Sequence, residues 1–159
     1  MHRTFTAIKE PIASAKWQHL FHERWPAYEQ WLLNHKGSQP KLDEALYALE
    51  KYMPLALPLY HHLCQLVGAN EMAQCFLTGF QPPRYSNACA QAVSTLGGVQ
   101  LVRNYDYHAH YFEGVLLHTA WHGQKVMANS DCLIGVLDGM NESGLALSLT
   151  YGGRKKVGY

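Results

Sequence analysis

Apolar residues recur at intervals of three and four across residues 13–33, at Trp17, Leu20, Phe21, Trp25, Tyr28, Trp31 and Leu32, which is the period of one helical face. Pro26 interrupts that pattern, and proline is poorly tolerated inside a helix. The spacing therefore predicts two helices meeting near Trp25, or one helix kinked there. After a loop at 35–40, Leu42, Ala45, Leu46, Leu49 and Met53 predict a third helix ended by Pro54. Residues 55–67 predict a fourth, ended by Gly68. Asn70 is a cap for a fifth, with Met72, Cys75 and Phe76 inward and Gly79 as its left-handed stop. The first eighty residues read as all helix.

Beyond the loop at 81–87 the pattern becomes extended. Residues 90–96 and 99–105 are strand-like runs, and Gly97-Gly98 between them accepts the positive φ angles of a two-residue hairpin turn. Further strands are predicted at 112–121 and 124–128, with His122-Gly123 as their turn, and a short apolar one at 133–137. Residues 138–144 (DGMNESG) read as a turn, and 145–151 as a last strand buried on both faces. The expected class is α+β, a helical segment (1–88) followed by an antiparallel sheet (89–159).

Composition narrows the function classes. The chain has 159 residues, 48% of them hydrophobic, and a formal net charge of +1. Eight basic and seven acidic residues precede Cys89, and five of each follow it, so the basic footprint of a nucleic-acid partner or a membrane surface is missing. No stretch reaches the roughly 18 apolar residues of a membrane span, and no signal-peptide core opens the chain. A soluble, cytoplasmic protein is expected. The four cysteines form no CxxC pair, which argues against a disulfide framework or a zinc ribbon. Cys64, Cys75 and Cys132 read as small buried hydrophobes. Among ten histidines the pairs His108/His110, His118/His122 and His19/His22 invite a metal, but no HExxH motif or completing carboxylate accompanies them, and no metal or organic cofactor is expected.

Candidate chemistry lies where helix gives way to strand. Cys89 stands at the head of the first strand, and Arg103 and Asp106 at the end of its partner, so a closed hairpin brings them to one end of the sheet. A neighbouring guanidinium favours the thiolate, the reactive form of cysteine. The same residues equally suit a salt bridge between Arg103 and Asp106 that closes the sheet end.

The run from Cys89 (CAQAV, then LVRNYDY) and the stretch 130–153 (SDCLIGVLDGMNESGLALSLTYGG) resemble the linear amide C–N hydrolases of the N-terminal-nucleophile superfamily. That group includes choloylglycine hydrolases, penicillin V acylases, acid ceramidase-like amidases and acyl-coenzyme A:6-aminopenicillanic-acid acyltransferases. The resemblance covers residues 76–159, and the helical part before Cys89 looks like the prosegment of the acyltransferase branch. It implies an αββα sandwich of two packed antiparallel sheets, of which a chain ending at Tyr159 would hold the first part only. It implies autocleavage of the Ala88-Cys89 bond, Cys89 as nucleophile with its freed α-amino group as base, and a thioester acyl-enzyme. Arg103 matches the arginine beside the thiol, Asp106 the aspartate that holds the α-amino group, and Tyr151 a contributor to the oxyanion hole. Asn141 matches the asparagine of the NESGL segment, where it also reads simply as a turn former. The implied partners are a small-molecule acyl amide and, for an acyltransferase, an acyl-coenzyme A donor. Ala88 and Ala90 stand where the acyltransferases carry Gly and many relatives carry Ser or Thr.

Two other classes stay open on the residues alone. One is a non-catalytic helical interaction module, with Trp17, Trp25 and Trp31 as anchors. The other is a Cys-His hydrolase using His108 or His110 as base.

Overall fold

The structure, a computed structural model, describes residues 4–35, 39–83, 89–106 and 111–150. Within them the protein is α+β, with four α-helices and a mixed sheet. The chain divides into two compact units. One comprises residues 10–83 with 119–123, and the other residues 1–9, 84–118 and 124–159.

The helical unit holds α1 (Ala15–Leu33), α2 (Leu42–Tyr52), α3 (Leu57–Val67) and α4 (Glu71–Leu77). A single α1 runs through Pro26. Its inward stripe supplies the core. Trp17 and Phe21 stack at 5.2 Å, Phe21 and Trp25 at 5.5 Å, and Tyr28 meets Phe76 of α4 at 4.9 Å. Trp17 and Trp25 thus pack inside the unit. Asn70 caps α4 as its sequence position predicts, accepting the Ala73 N–H at 2.9 Å, and Gly79 takes a φ of 65°. His62 bonds the Ala13 carbonyl at 2.7 Å, tying α3 to the segment that leads into α1.

The start of α1 is satisfied from upstream. Four N–H groups at a helix start have no intrahelical acceptor. The buried Glu10 carboxylate accepts from the N–H groups of Ser14, Lys16 and Trp17 at 3.2, 2.9 and 3.0 Å, and from the Ser14 hydroxyl at 2.5 Å.

The first eighty residues are not all helix. Residues Thr6–Lys9 form a strand, β1, paired in parallel with β4 (Val115–Thr119) in the register Thr6↔Val115. The remaining strands are β2 (Cys89–Ser94), β3 (Gln100–Tyr105), β5 (Val126–Asp131), β6 (Gly135–Asn141) and β7 (Ala146–Ser148). They make a five-stranded sheet ordered β1-β4-β5-β6-β7 and a separate β2-β3 pair. The parallel β1-β4 pair makes the larger sheet mixed, where a purely antiparallel one is expected from sequence. Ile8, Val115, Leu117, Ala128 and Leu137 are its buried apolar residues, and Leu133 is buried in the β5-β6 turn.

Three local expectations change. The β2-β3 register ends at Ser94↔Gln100, so residues 95–99 form a connection longer than a two-residue turn, although Gly97 and Gly98 do take φ of 75° and 126°. Asp138, Gly139 and Met140 lie inside β6, and the turn begins only at Asn141. Asn141 is the turn former, its Oδ1 accepting the N–H groups of Ser143 and Leu145 at 3.1 and 2.9 Å. Strand β7 is short and lies at the sheet edge among the described residues, and Leu145 and Leu147 are exposed, where burial on both faces is expected from sequence. Among those residues no helix is long and apolar enough to cross a membrane.

The Glu10 cap gives a pH-dependent expectation. Burial pushes this carboxyl up, but the bonds from the Ser14 hydroxyl and from the Lys16, Trp17 and Ser14 N–H groups outweigh it and hold it below its ordinary value of 4.5. A carboxylate lowered on folding contributes stability above its unfolded pKa and loses it as pH falls through the folded one. Glu10→Gln places an amide donor among donors and is expected to cost about 1–2 kcal/mol at pH 7. Urea unfolding at pH 7 and pH 3 should show a smaller acid loss in the variant than in the wild type; equal losses would contradict the cap.

Candidate active site

Register and alternation place the candidate residues. Cys89 opens β2 opposite Tyr105, and Gln91 faces Arg103. Side chains two apart share a face, so Cys89, Arg103 and Tyr105 stand on one side of the hairpin with Arg103 diagonal to Cys89. The guanidinium closes that diagonal, donating from Nη2 to Cys89 Sγ at 3.0 Å. It lies over the Tyr105 ring, 4.3 Å from the centroid. Its other terminal nitrogen, Nη1, donates to the Leu137 carbonyl at 2.7 Å and to Asp138 Oδ1 at 2.9 Å. The Arg103 side chain is only 6% exposed.

Asp138 is the residue that sequence reasoning missed. It lies in β6 opposite Asn129 of β5 and Ser148 of β7, so three polar side chains form a row across three strands. Oδ1 accepts from Arg103 and, at 3.1 Å, from the Ser148 hydroxyl. Oδ2 accepts from the Tyr105 hydroxyl and, at 3.2 Å, from Asn129 Nδ2. Gly139 beside it keeps β6 close to β5, since a Cβ there would sit 2.9 Å from that of Ala128.

The electrostatics follow from these contacts. Burial opposes both charges. For Arg103 the bonds to Cys89 and Asp138 overcome that cost and hold the guanidinium more firmly protonated than usual. For Asp138 the bonds from Tyr105, Arg103 and Asn129 hold the carboxyl below its ordinary range. Burial pushes Cys64 and Cys75 up, and burial with the Asp131 and Glu113 charges pushes Cys132 well up. Cys132 lies in the turn between β5 and β6.

The structure brings Cys89 and Arg103 together. It leaves Asp106 just beyond β3, exposed and bonded to Asn104, whose side chain points to the face opposite Arg103. The ion pair between Arg103 and Asp106 does not form; Arg103 pairs with Asp138 instead. Thr150, next to the expected oxyanion residue, donates its hydroxyl to the Cys89 carbonyl at 3.3 Å. Tyr151, and the alternative bases His108 and His110, lie outside the described residues.

Fold and site together define an α+β protein whose half-buried thiol accepts a hydrogen bond from a clamped guanidinium. Residues 93–159 match the family described as acyl-coenzyme A:6-aminopenicillanic acid acyl-transferase, which is related to the N-terminal-nucleophile hydrolases. The matched segment contains Arg103, Asp106, Asp138 and Tyr151 and begins four residues after Cys89. No curated protein and no solved structure gives a significant match.

The fork is what makes this arrangement specific to arginine. A lysine ammonium is a single point and cannot reach the Leu137 carbonyl, Asp138 and Cys89 with the same two-pronged geometry. Arg103→Lys is expected to lower the unfolding free energy by about 1–3 kcal/mol in a urea titration. An unchanged midpoint would mean that the fork carries no load in the folded state.

Proposed function

We propose that this protein acts on linear amide C–N bonds as an amidase or acyltransferase, with Cys89 as nucleophile after the Ala88-Cys89 bond is cut. The observation that carries the reading is the 3.0 Å donation from Arg103 to the Cys89 sulfur, beside a segment matching an acyl-transferase family. That donor places positive charge where a thiolate develops it in negative form.

The chemistry balances without a cofactor. Once freed, the Cys89 α-amino group takes the thiol proton, and the sulfur attacks the amide carbonyl carbon. The tetrahedral adduct collapses as the C–N bond breaks, and the ammonium returns the proton to the departing amine. The product is a thioester on Cys89. Water then releases the acid, or a second amine takes the acyl group. For transfer, an acyl-coenzyme A donor forms the same thioester by releasing its own thiol.

In this reading Asp106, exposed at the end of β3, holds the α-amino group, and Tyr151 contributes to the oxyanion hole. The N-terminal segment up to residue 88 acts as the prosegment. The reach of Arg103 from the β2-β3 pair to β6 of the larger sheet supports two packed sheets as the β layers of an αββα core.

Intact mass and N-terminal sequencing of the purified protein test the proposal. The expected result is a polypeptide beginning Cys-Ala-Gln-Ala, absent in Cys89→Ala, together with release of amine from a panel of N-acyl amides. An uncut chain that turns over no acyl amide and no acyl-coenzyme A would overturn it.

A further inference from the structure

We infer that Asp138 is a positioning residue for the nucleophile: by fixing one prong of the Arg103 guanidinium it aims the other at the Cys89 sulfur. The inference deepens the cysteine-nucleophile reading and rests on it for its catalytic meaning. Its geometry stands on the contacts alone.

A guanidinium is planar, so fixing Nη1 fixes where Nη2 lies. Nη1 has two acceptors at short range, Asp138 Oδ1 and the Leu137 carbonyl. That carbonyl also accepts the N–H of Leu149, the residue after β7, at 2.7 Å. The Tyr105 ring beneath the guanidinium restricts tilting. Asp138 is itself held at both oxygens, by Ser148 and by Tyr105 and Asn129. The chain of constraint runs from a strand in the middle of three, through a carboxylate without rotational freedom, to a sulfur at the head of β2. Asp106, the carboxylate nearer in sequence, faces away from this chain and does not take part in it.

The opposing explanation for the carboxylate is charge balance alone, and the two differ in sign. If Asp138 acted on Cys89 only through space, removing its negative charge would favour the thiolate and quicken alkylation. If it acts by holding Arg103, removing it lets the guanidinium swing from the sulfur and slows alkylation. Asp138→Ala, which removes both the charge and the acceptor, is the variant that separates them. Asp138→Asn removes the charge alone: its Oδ1 keeps the Arg103 Nη1 bond, and an amide flip of Asn129, whose Oδ1 is buried without a hydrogen-bond partner, offers that oxygen to the new Nδ2.

The experiment follows iodoacetamide labelling of Cys89 at pH 7 by peptide mass spectrometry, with Cys64, Cys75 and Cys132 as internal references. Asp138→Ala is expected to label on the order of tenfold more slowly at Cys89 with the reference thiols unchanged. Asp138→Glu, which keeps the acceptor, should recover part of that loss. Tyr105→Phe keeps the ring and removes one donor to Asp138, and is expected to slow labelling by a smaller factor of about two to three; it serves as the test should Asp138→Ala not fold. Equal or faster labelling in the folded variant would overturn the inference. Labelling is independent of turnover, so a wild type without amide activity would count against the proposed function, while the order of labelling rates would still decide the role of Asp138.

Discussion

The hydrogen-bonded ion pair between Arg103 and Asp138 holds this site in place. A two-stranded sheet by itself is marginally stable in water. The β2-β3 pair is bound to the larger sheet through Arg103, through the Tyr105 hydroxyl on the same carboxylate, and through Thr150 on the Cys89 carbonyl. Attachment of the hairpin and delivery of a donor to the thiol are therefore one interaction. Burial works against both charges, and their mutual bond offsets it together with the bond Arg103 makes to Cys89 and those Asp138 accepts from Tyr105 and Asn129.

The helices were legible because their apolar spacing is periodic and their ends carry local signals such as Asn70 and Gly68. Strand β1 was not. It is four residues long, only Ile8 in it is buried, and its partner β4 lies far along the chain, so no local pattern marks it. Arg103 and Cys89 were found because a hairpin makes their proximity a matter of short-range register. Asp138 was hidden for the opposite reason. It stands 35 residues from Arg103, and it opens a run whose Gly139, Asn141 and Gly144 suggest a turn. Sequence proximity pointed to Asp106, but alternation along β3 puts the residue three beyond an inward arginine on the outward side. The nearer carboxylate was the wrong partner for that reason.

Hydrophobic pattern also overstated burial in the β-rich part. Val93, Val99 and Val102 of the hairpin region and Leu145 and Leu147 near the edge are exposed, although their residue types favour strand. Strand propensity and burial are separate properties, and the first was legible without the second. The site residues reverse this: Arg103 and Asp138 are charged yet largely enclosed, and the polar contacts that enclose them come from β2, β3, β5, β6 and β7.

A double-mutant cycle measures the central interaction most directly. Urea unfolding of the wild type, Arg103→Met, Asp138→Ala and the combined variant gives a coupling free energy for the pair. The expected coupling is about 1–3 kcal/mol, the range for residues sharing one hydrogen-bond and ion-pair network. Additivity within about 0.5 kcal/mol would contradict the account, since independent residues could not jointly hold the hairpin and its thiol.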